Sequence, residues 1–229
     1  MFMPLYDGAP LRFMRWPLVN CTLIAINVAV FLAMNAGILG DVERLDLAFG
    51  AIPAVLMGQS SLAKGLALIP EPFTLLTGLF IHAGYGHIIG NMLFLWVFGD
   101  NVEDAMGSAR YLVFYLACGI AGALLYAFAD PASEAPLIGA SGAISGVVVA
   151  YMLLYPHIRI LGLLLNLIPL RMPAVWCLGA WAFLQIVSAL SNEETGVGFW
   201  AHVGGIVCGA ILTPVFHRVE APLFSSREI

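Results

Sequence analysis

Six polar side chains interrupt otherwise apolar stretches of this chain: His82, His87 and Asn91, then Ser141 and Ser145, then His202. A serine and a histidine brought together make a nucleophile and its general base, because the imidazole takes the hydroxyl proton during attack and returns it to the leaving amine. The oxyanion formed in that attack needs fixed donors. His87, the Asn91 amide and backbone N–H groups near Ser141 could supply them if Ser141 lies at a helix N-terminus. His87 and Asn91 are four residues apart and so share one face of a helix. No acidic residue lies in these stretches, which predicts a Ser/His dyad rather than a triad. Each residue alone also has a plainer reading: a membrane serine bonds back to the carbonyl one turn earlier, and a membrane histidine joins neighbouring helices. The joint pattern favours chemistry. Ser141 stands in Gly139-Ala140-Ser141-Gly142-Ala143-Ile144-Ser145-Gly146, and His202 adjoins Gly204 and Gly205, so both have neighbours small enough for close approach.

Positioning such residues falls to membrane helices. Hydrophobic residues make up 61% of the 229 and charged residues 10%, against roughly 25% in an ordinary soluble domain. The net charge of -5 is spread over the loops without a basic cluster, which excludes a phosphate-binding face and makes nucleic acid an unexpected partner. Cut at its charges, the chain contains uncharged runs at 16–40, 72–99, 111–129, 135–158, 172–192 and 195–217. Each is close to or above the ~20 residues that cross a bilayer. The run 47–63 holds Pro53 and a Gly58-Gln59-Ser60-Ser61 turn and reads as a structured loop or an interfacial helix; 160–170 is half a span and is expected between two helices.

Six spans with a cytoplasmic N-terminus put Arg12, Arg15, Arg110, Arg159, Arg171, Arg218 and Arg227 inside and only Arg44 and Lys64 outside, as the positive-inside rule requires. The expected fold is all-α: one polytopic membrane domain over 1–229, a six-transmembrane-helix bundle. It has a short cytoplasmic segment 1–15, a first outer loop 41–71 and a short cytoplasmic tail 218–229. Arg12 and Arg15 before an apolar run imitate a signal peptide, but 16–40 is too long for an h-region and stays as a span. The second, fourth and sixth spans then run inward from one face, with His87, Ser141 and His202 at a common depth of ~6 to 12 Å. Gly142/Gly146 and Gly205/Gly209 are small pairs at four-residue spacing, which predicts contact between the fourth and sixth spans. Cys21, Cys118, Cys177 and Cys208 lie in apolar runs without metal-ligand spacing and read as core residues. No metal or cofactor is expected, and the expected location is the inner membrane of a bacterium, with both termini cytoplasmic.

These residues resemble the rhomboid family of intramembrane serine proteases. Three blocks carry the likeness in order: His82-Ala83-Gly84-Tyr85-Gly86-His87-Ile88-Ile89-Gly90-Asn91, Gly139-Ala140-Ser141-Gly142, and Ala201-His202-Val203-Gly204-Gly205. The segment 99–107, with Glu103 inside, is similar to the loop after the family's second core span. The resemblance implies Ser141 as nucleophile, His202 as base, and His87 and Asn91 as oxyanion donors, with Gly139, Gly142 and Gly205 as structural support. It also implies a rhomboid-like six-helix core, a first loop partly embedded in the outer leaflet, a cavity open to the outer face, and a single-span transmembrane protein substrate cut near its outer boundary.

Two departures stand out. Phe73-Thr74 occupies the place of the family's Trp-Arg, and Ser145 replaces the aromatic residue that packs on the catalytic histidine. A substrate entering from the lipid is expected to pass the fifth span near Trp181 and Phe183. The rival readings are an inactive relative that binds transmembrane helices, and a transporter or channel. The four retained polar residues argue against the first; the lack of membrane acids, internal repeats and paired broken helices argues against the second.

Overall fold

A computed structural model describes residues 2–164, 167–191 and 196–225. In chain order its elements are β1 (Phe2–Tyr6), α1 (Leu18–Asn35), α2 (Val42–Phe49), α3 (Pro53–Leu56), α4 (Thr74–Thr77), α5 (Tyr85–Phe94), α6 (Asp100–Met106), α7 (Ser108–Ala129), α8 (Ser141–Leu154), β2 (Arg159–Leu164), β3 (Ile168–Pro173), α9 (Ala174–Ser191) and α10 (Phe199–Phe216). Among the described residues α1, α7, α9 and α10 are long and apolar enough to cross a membrane. A fifth candidate is bent: Glu71–Phe80 and Tyr85–Met106 meet at 82°, and a π turn at Leu95–Gly99 joins α5 to α6. The ends of the fifth and sixth predicted runs at 192–195, and Arg227 with the tail beyond 225, lie outside the described residues.

Helix α8 is shorter than its sequence run. Of 135–158 only Ser141–Leu154 is helical, 14 residues or about 21 Å against ~30 Å of hydrocarbon. The chain before it is not helical. Its backbone is satisfied in part by an antiparallel bridge between Leu137 and Ala51, whose N–H groups each donate to the other's carbonyl at 2.9 and 3.0 Å. Irregular backbone at that depth is tolerable because it is covered by protein, here by the segment around α3.

The all-α expectation needs one correction. β1, β2 and β3 form a three-stranded antiparallel sheet in that order, so the described residues of 160–170, which do lie between α8 and α9, are two paired strands, the first of which also pairs with the start of the chain. An apolar run of that length has no periodicity that distinguishes strand from helix.

The centre is built from α7, α8 and α10, and glycines set its spacing. A Cβ added at Gly205 would collide with the Gly142 carbonyl; one at Gly209 would lie 2.6 Å from Gly146 Cα, and one at Gly204 would lie 2.8 Å from Gly122 Cα. Helices in lipid associate through such close backbone packing, since apolar burial gives them no advantage over contact with lipid tails. Of the cysteines, Cys118 and Cys177 are buried, Cys208 is half-buried, and Cys21 faces outward on α1.

Two buried carboxylates tie the N-terminal region to α6. Glu103, fully buried, accepts from Val19 N at 3.1 Å, Asn20 N at 2.7 Å and Ser108 Oγ at 2.6 Å. It therefore caps the first turn of α1, which has no side-chain cap of its own. Asp104 accepts from the backbone N–H groups of Arg12, Phe13 and Met14, each at 2.8 Å. Replacing Glu103 with Ala leaves three donors without an acceptor. The expected cost is about 2–4 kcal/mol, read as a lowered thermal unfolding midpoint in detergent.

Candidate active site

Ser141 is the first residue of α8, reached from the extended segment through Gly139, whose φ of +111° is left-handed territory that favours glycine. Gly139 also has no room for a side chain. A Cβ there would sit 2.6 Å from the Nε2 and Cε1 atoms of His87 and 3.7 Å from Asn91 Nδ2. The backbone just before Ser141 thus runs against the His87 ring and the Asn91 amide, both carried by α5.

His202 lies in the first turn of α10. Its Nε2 is 2.9 Å from Ser141 Oγ and its Nδ1 is 2.8 Å from Gln185 Oε1 on α9. The ring of Phe199, three residues earlier, stands edge-on to His202 at 6.0 Å and 88°. Ser141 and His202 are both half-buried, so the pair is neither sealed in the core nor open surface.

His87 has its Nδ1 facing the Ala83 N–H at 3.4 Å. That nitrogen therefore accepts, and in the neutral ring the proton sits on Nε2, which with Cε1 forms the edge of the ring turned to Gly139. Asn91 is 8% exposed and its Nδ2 has no hydrogen-bond partner among the described residues, a donor left free beside Gly139, two residues before Ser141. His82, also buried, meets the His87 ring at 5.0 Å and 63°. Ser145 is different in kind: its Oγ donates to the Ser141 carbonyl at 2.7 Å, the back-bond of an ordinary buried helix serine.

The structure thus brings Ser141 and His202 into contact, sets His87 and Asn91 against Gly139, and stacks Gly142 under Gly205. Trp181 packs on Phe94 of α5 with ring centroids 6.0 Å apart, whereas Phe183 is 64% exposed and points away from the bundle. Where the Trp-Arg pair is missing, Phe73 is exposed and Thr74 Oγ1 turns to the Glu71 carbonyl at 2.5 Å. The first loop is held instead by Thr77 Oγ1 donating to the Phe49 carbonyl at 2.7 Å and by the Ala51–Leu137 bridge. Among the described residues no group of three or more His, Cys, Asp or Glu side chains converges as metal ligands would.

Three contributors were missed from sequence. Gln185 is a polar side chain inside the fifth apolar run, and the cost of burying an amide in a membrane was the signal that marked it. Gly119 and Gly122 of α7 complete the glycine-packed centre; a Cβ at Gly122 would lie 2.5 Å from the Ala201 carbonyl oxygen, and one at Gly119 would require the Leu79 side chain, 2.6 Å away, to shift.

Fold and site together define a polytopic helical membrane protein with a Ser/His contact at the start of a short helix. The Rhomboid domain family model matches residues 70–219. The chain belongs to the rhomboid family. It is 31% identical over 213 residues to Rhomboid protease GluP of Bacillus subtilis, covering 92% of this chain and 37% of that protein. It is 30% identical to Rhomboid protein 1, mitochondrial, of Saccharomyces cerevisiae, covering 62% of this chain and 41% of that protein. Inactive rhomboid protein 1 of Drosophila melanogaster is also similar, 26% identical over 62% of this chain and 9% of its own length. The chain therefore spans about two fifths of the length of the first two of these relatives. Family and apolar helices make it an integral membrane protein, in a family that contains both proteases and inactive members.

Proposed function

We propose that the chain is an intramembrane serine endopeptidase, with Ser141 as nucleophile and His202 as general base. The observation that carries this reading is the 2.9 Å contact between Ser141 Oγ and His202 Nε2. In the reaction Ser141 Oγ attacks the peptide carbonyl carbon while its proton passes to Nε2. The tetrahedral oxyanion is held by Nε2–H of His87, the Asn91 amide and backbone N–H groups at the start of α8. His202 then protonates the leaving amine, and water, deprotonated by the same nitrogen, releases the acyl group. Neither a metal nor a cofactor takes part.

The membrane arrangement that goes with this reading counts six crossings: α1, the bent pair, α7, the short α8, α9 and α10. They form one domain with both termini cytoplasmic and the sheet of β1 to β3 on the inner face. Substrate is a single-span protein in the bilayer, cut near its outer boundary and entering past α9, where Trp181 closes against Phe94. The proposed location is a bacterial inner membrane, supported by the arginine distribution and the likeness to the Bacillus protein; mitochondrial relatives make organelle membranes the alternative.

Reconstitution in liposomes with a panel of labelled single-span proteins tests the reading. Cleavage mapped by mass spectrometry to the outer end of the span is the expected result; no cleavage across the panel defeats it. A second reading, an inactive member that binds transmembrane helices, draws on the match to the Drosophila protein. It predicts capture of those spans without a cut. For the oxyanion donors, Asn91→Ala is expected to slow turnover by about 10-fold or more with little change in KM. An unchanged kcat removes Asn91 from the mechanism.

A further inference from the structure

A Ser/His pair without an acid leaves the far nitrogen of the imidazole to be accounted for. When Ser141 attacks, Nε2 must be free to take its proton, so in the resting enzyme the ring proton has to sit on Nδ1. A protonated Nδ1 in an apolar helix bundle needs an acceptor, and without one the other tautomer, which cannot act as base, becomes competitive. The atom facing Nδ1 is Gln185 Oε1, at 2.8 Å. The opposite orientation of that amide would present its NH2 group and match only the other tautomer, with Nε2–H aimed at Ser141 Oγ, so the orientation that keeps Nε2 free to act as base is the one with the oxygen on Nδ1–H.

We infer that Gln185 is the positioning residue of the dyad: its amide oxygen accepts from His202 Nδ1–H, holds the ring in the tautomer that can deprotonate Ser141, and stabilises the imidazolium once Nε2 is protonated. This rests on the dyad reading above and adds a third group to it. The amide supplies a dipole rather than a charge, which suits a bilayer: an unpaired carboxylate at this depth would carry a much larger desolvation cost than an amide whose oxygen is hydrogen-bonded. Gln185 also takes over part of the task left open by Ser145. The ring is fixed from two sides, by the Gln185 hydrogen bond and by the Phe199 edge, instead of by an aromatic residue on α8. Because Gln185 belongs to α9, the imidazole is oriented by a helix that carries neither member of the dyad.

The plainer reading is that Gln185 only satisfies its own amide inside the bundle. The two readings separate in kinetics. Gln185→Leu keeps the volume and removes the acceptor; Gln185→Glu restores one. Wild type and both variants are purified in detergent, and rates are normalised to the folded fraction. The rate of covalent labelling of Ser141 by a small fluorophosphonate is measured beside kcat and KM for a single-span substrate. The expected result is a loss of about 10-fold or more in labelling rate and kcat for Gln185→Leu, with KM within about twofold and most of the loss recovered in Gln185→Glu. The small probe needs no lateral entry, so an effect on gating alone would leave its rate unchanged and overturn the inference. Equal labelling of wild type and Gln185→Leu, or equal impairment of Gln185→Leu and Gln185→Glu, also overturns it. A wild type that neither labels nor cleaves overturns instead the dyad reading on which it rests.

Discussion

Ser141→Ala is expected to reduce cleavage to background in liposomes that cut readily with wild type, a loss of at least about 10^4-fold. The size follows from covalent catalysis: without Oγ there is no acyl-enzyme, and what survives is whatever water attack the oxyanion donors can assist. Helix α8 should be unharmed, because the Ser141 side chain makes its hydrogen bond only to His202 among the described residues, while the Ser141 carbonyl that Ser145 uses is retained. The variant should therefore match wild type in thermal unfolding and in capture of a single-span substrate, yet fail to react with a fluorophosphonate. Cleavage at the wild-type rate would exclude Ser141 as nucleophile. His202→Ala should show the same loss, and its sum with Ser141→Ala should be far from additive, since the two act as one unit.

The second large effect is expected far from any bond-making atom. Gly205→Ala places a methyl group where the Gly142 carbonyl already is, and the obstacle is backbone on a rigid helix rather than a movable side chain. Helix α10 has to back away from α8. Overpacking of this kind costs about 1–3 kcal/mol. It also moves His202, carried one turn earlier on the same helix, away from Ser141; a displacement near 1 Å is expected to cost about 100-fold in kcat. A lowered unfolding midpoint together with that kinetic loss is the expected outcome. Gly90→Ala is the control for stability: nothing lies within 4 Å of the added carbon, and the variant should melt at or slightly above wild type. If Gly205→Ala keeps both its midpoint and its kcat, glycine spacing does not hold the site together.

These two experiments probe the two kinds of information the chain carries. Gly205 and Gly142 could be picked out from four-residue spacing alone, because a small pair on an apolar run has few uses other than close helix approach. The membrane class, the order of the three motif blocks and the rhomboid family were legible for the same reason: each depends on composition or on residues near one another in sequence. Ser145 could be set apart from Ser141 but not explained. Only the back-bond to the Ser141 carbonyl shows it as a satisfied helix serine.

Boundaries and partners were less legible. The run 135–158 is apolar throughout, so hydropathy could not say that its first residues are extended and that the helix begins at Ser141 itself. That start is set by Leu137 pairing with Ala51, a residue far back in the chain. The hairpin of β2 and β3 is invisible for a similar reason. Its apolar run is too short to show a period, and its outer partner β1 lies at the other end of the sequence.

By itself, then, the sequence determined what kind of environment the chain inhabits, which family it belongs to, and which few polar residues had to be explained inside the bilayer. Only the tertiary structure decided that Ser141 Oγ lies 2.9 Å from His202, that Gln185 faces the other nitrogen, and that Glu103 caps α1. The physical reason is one of range. Hydropathy and helical spacing act over a turn or a span and are written in consecutive residues. A hydrogen bond between helices depends on how far their axes stand apart and how they are rotated, and that is settled by glycine contacts on three helices at once.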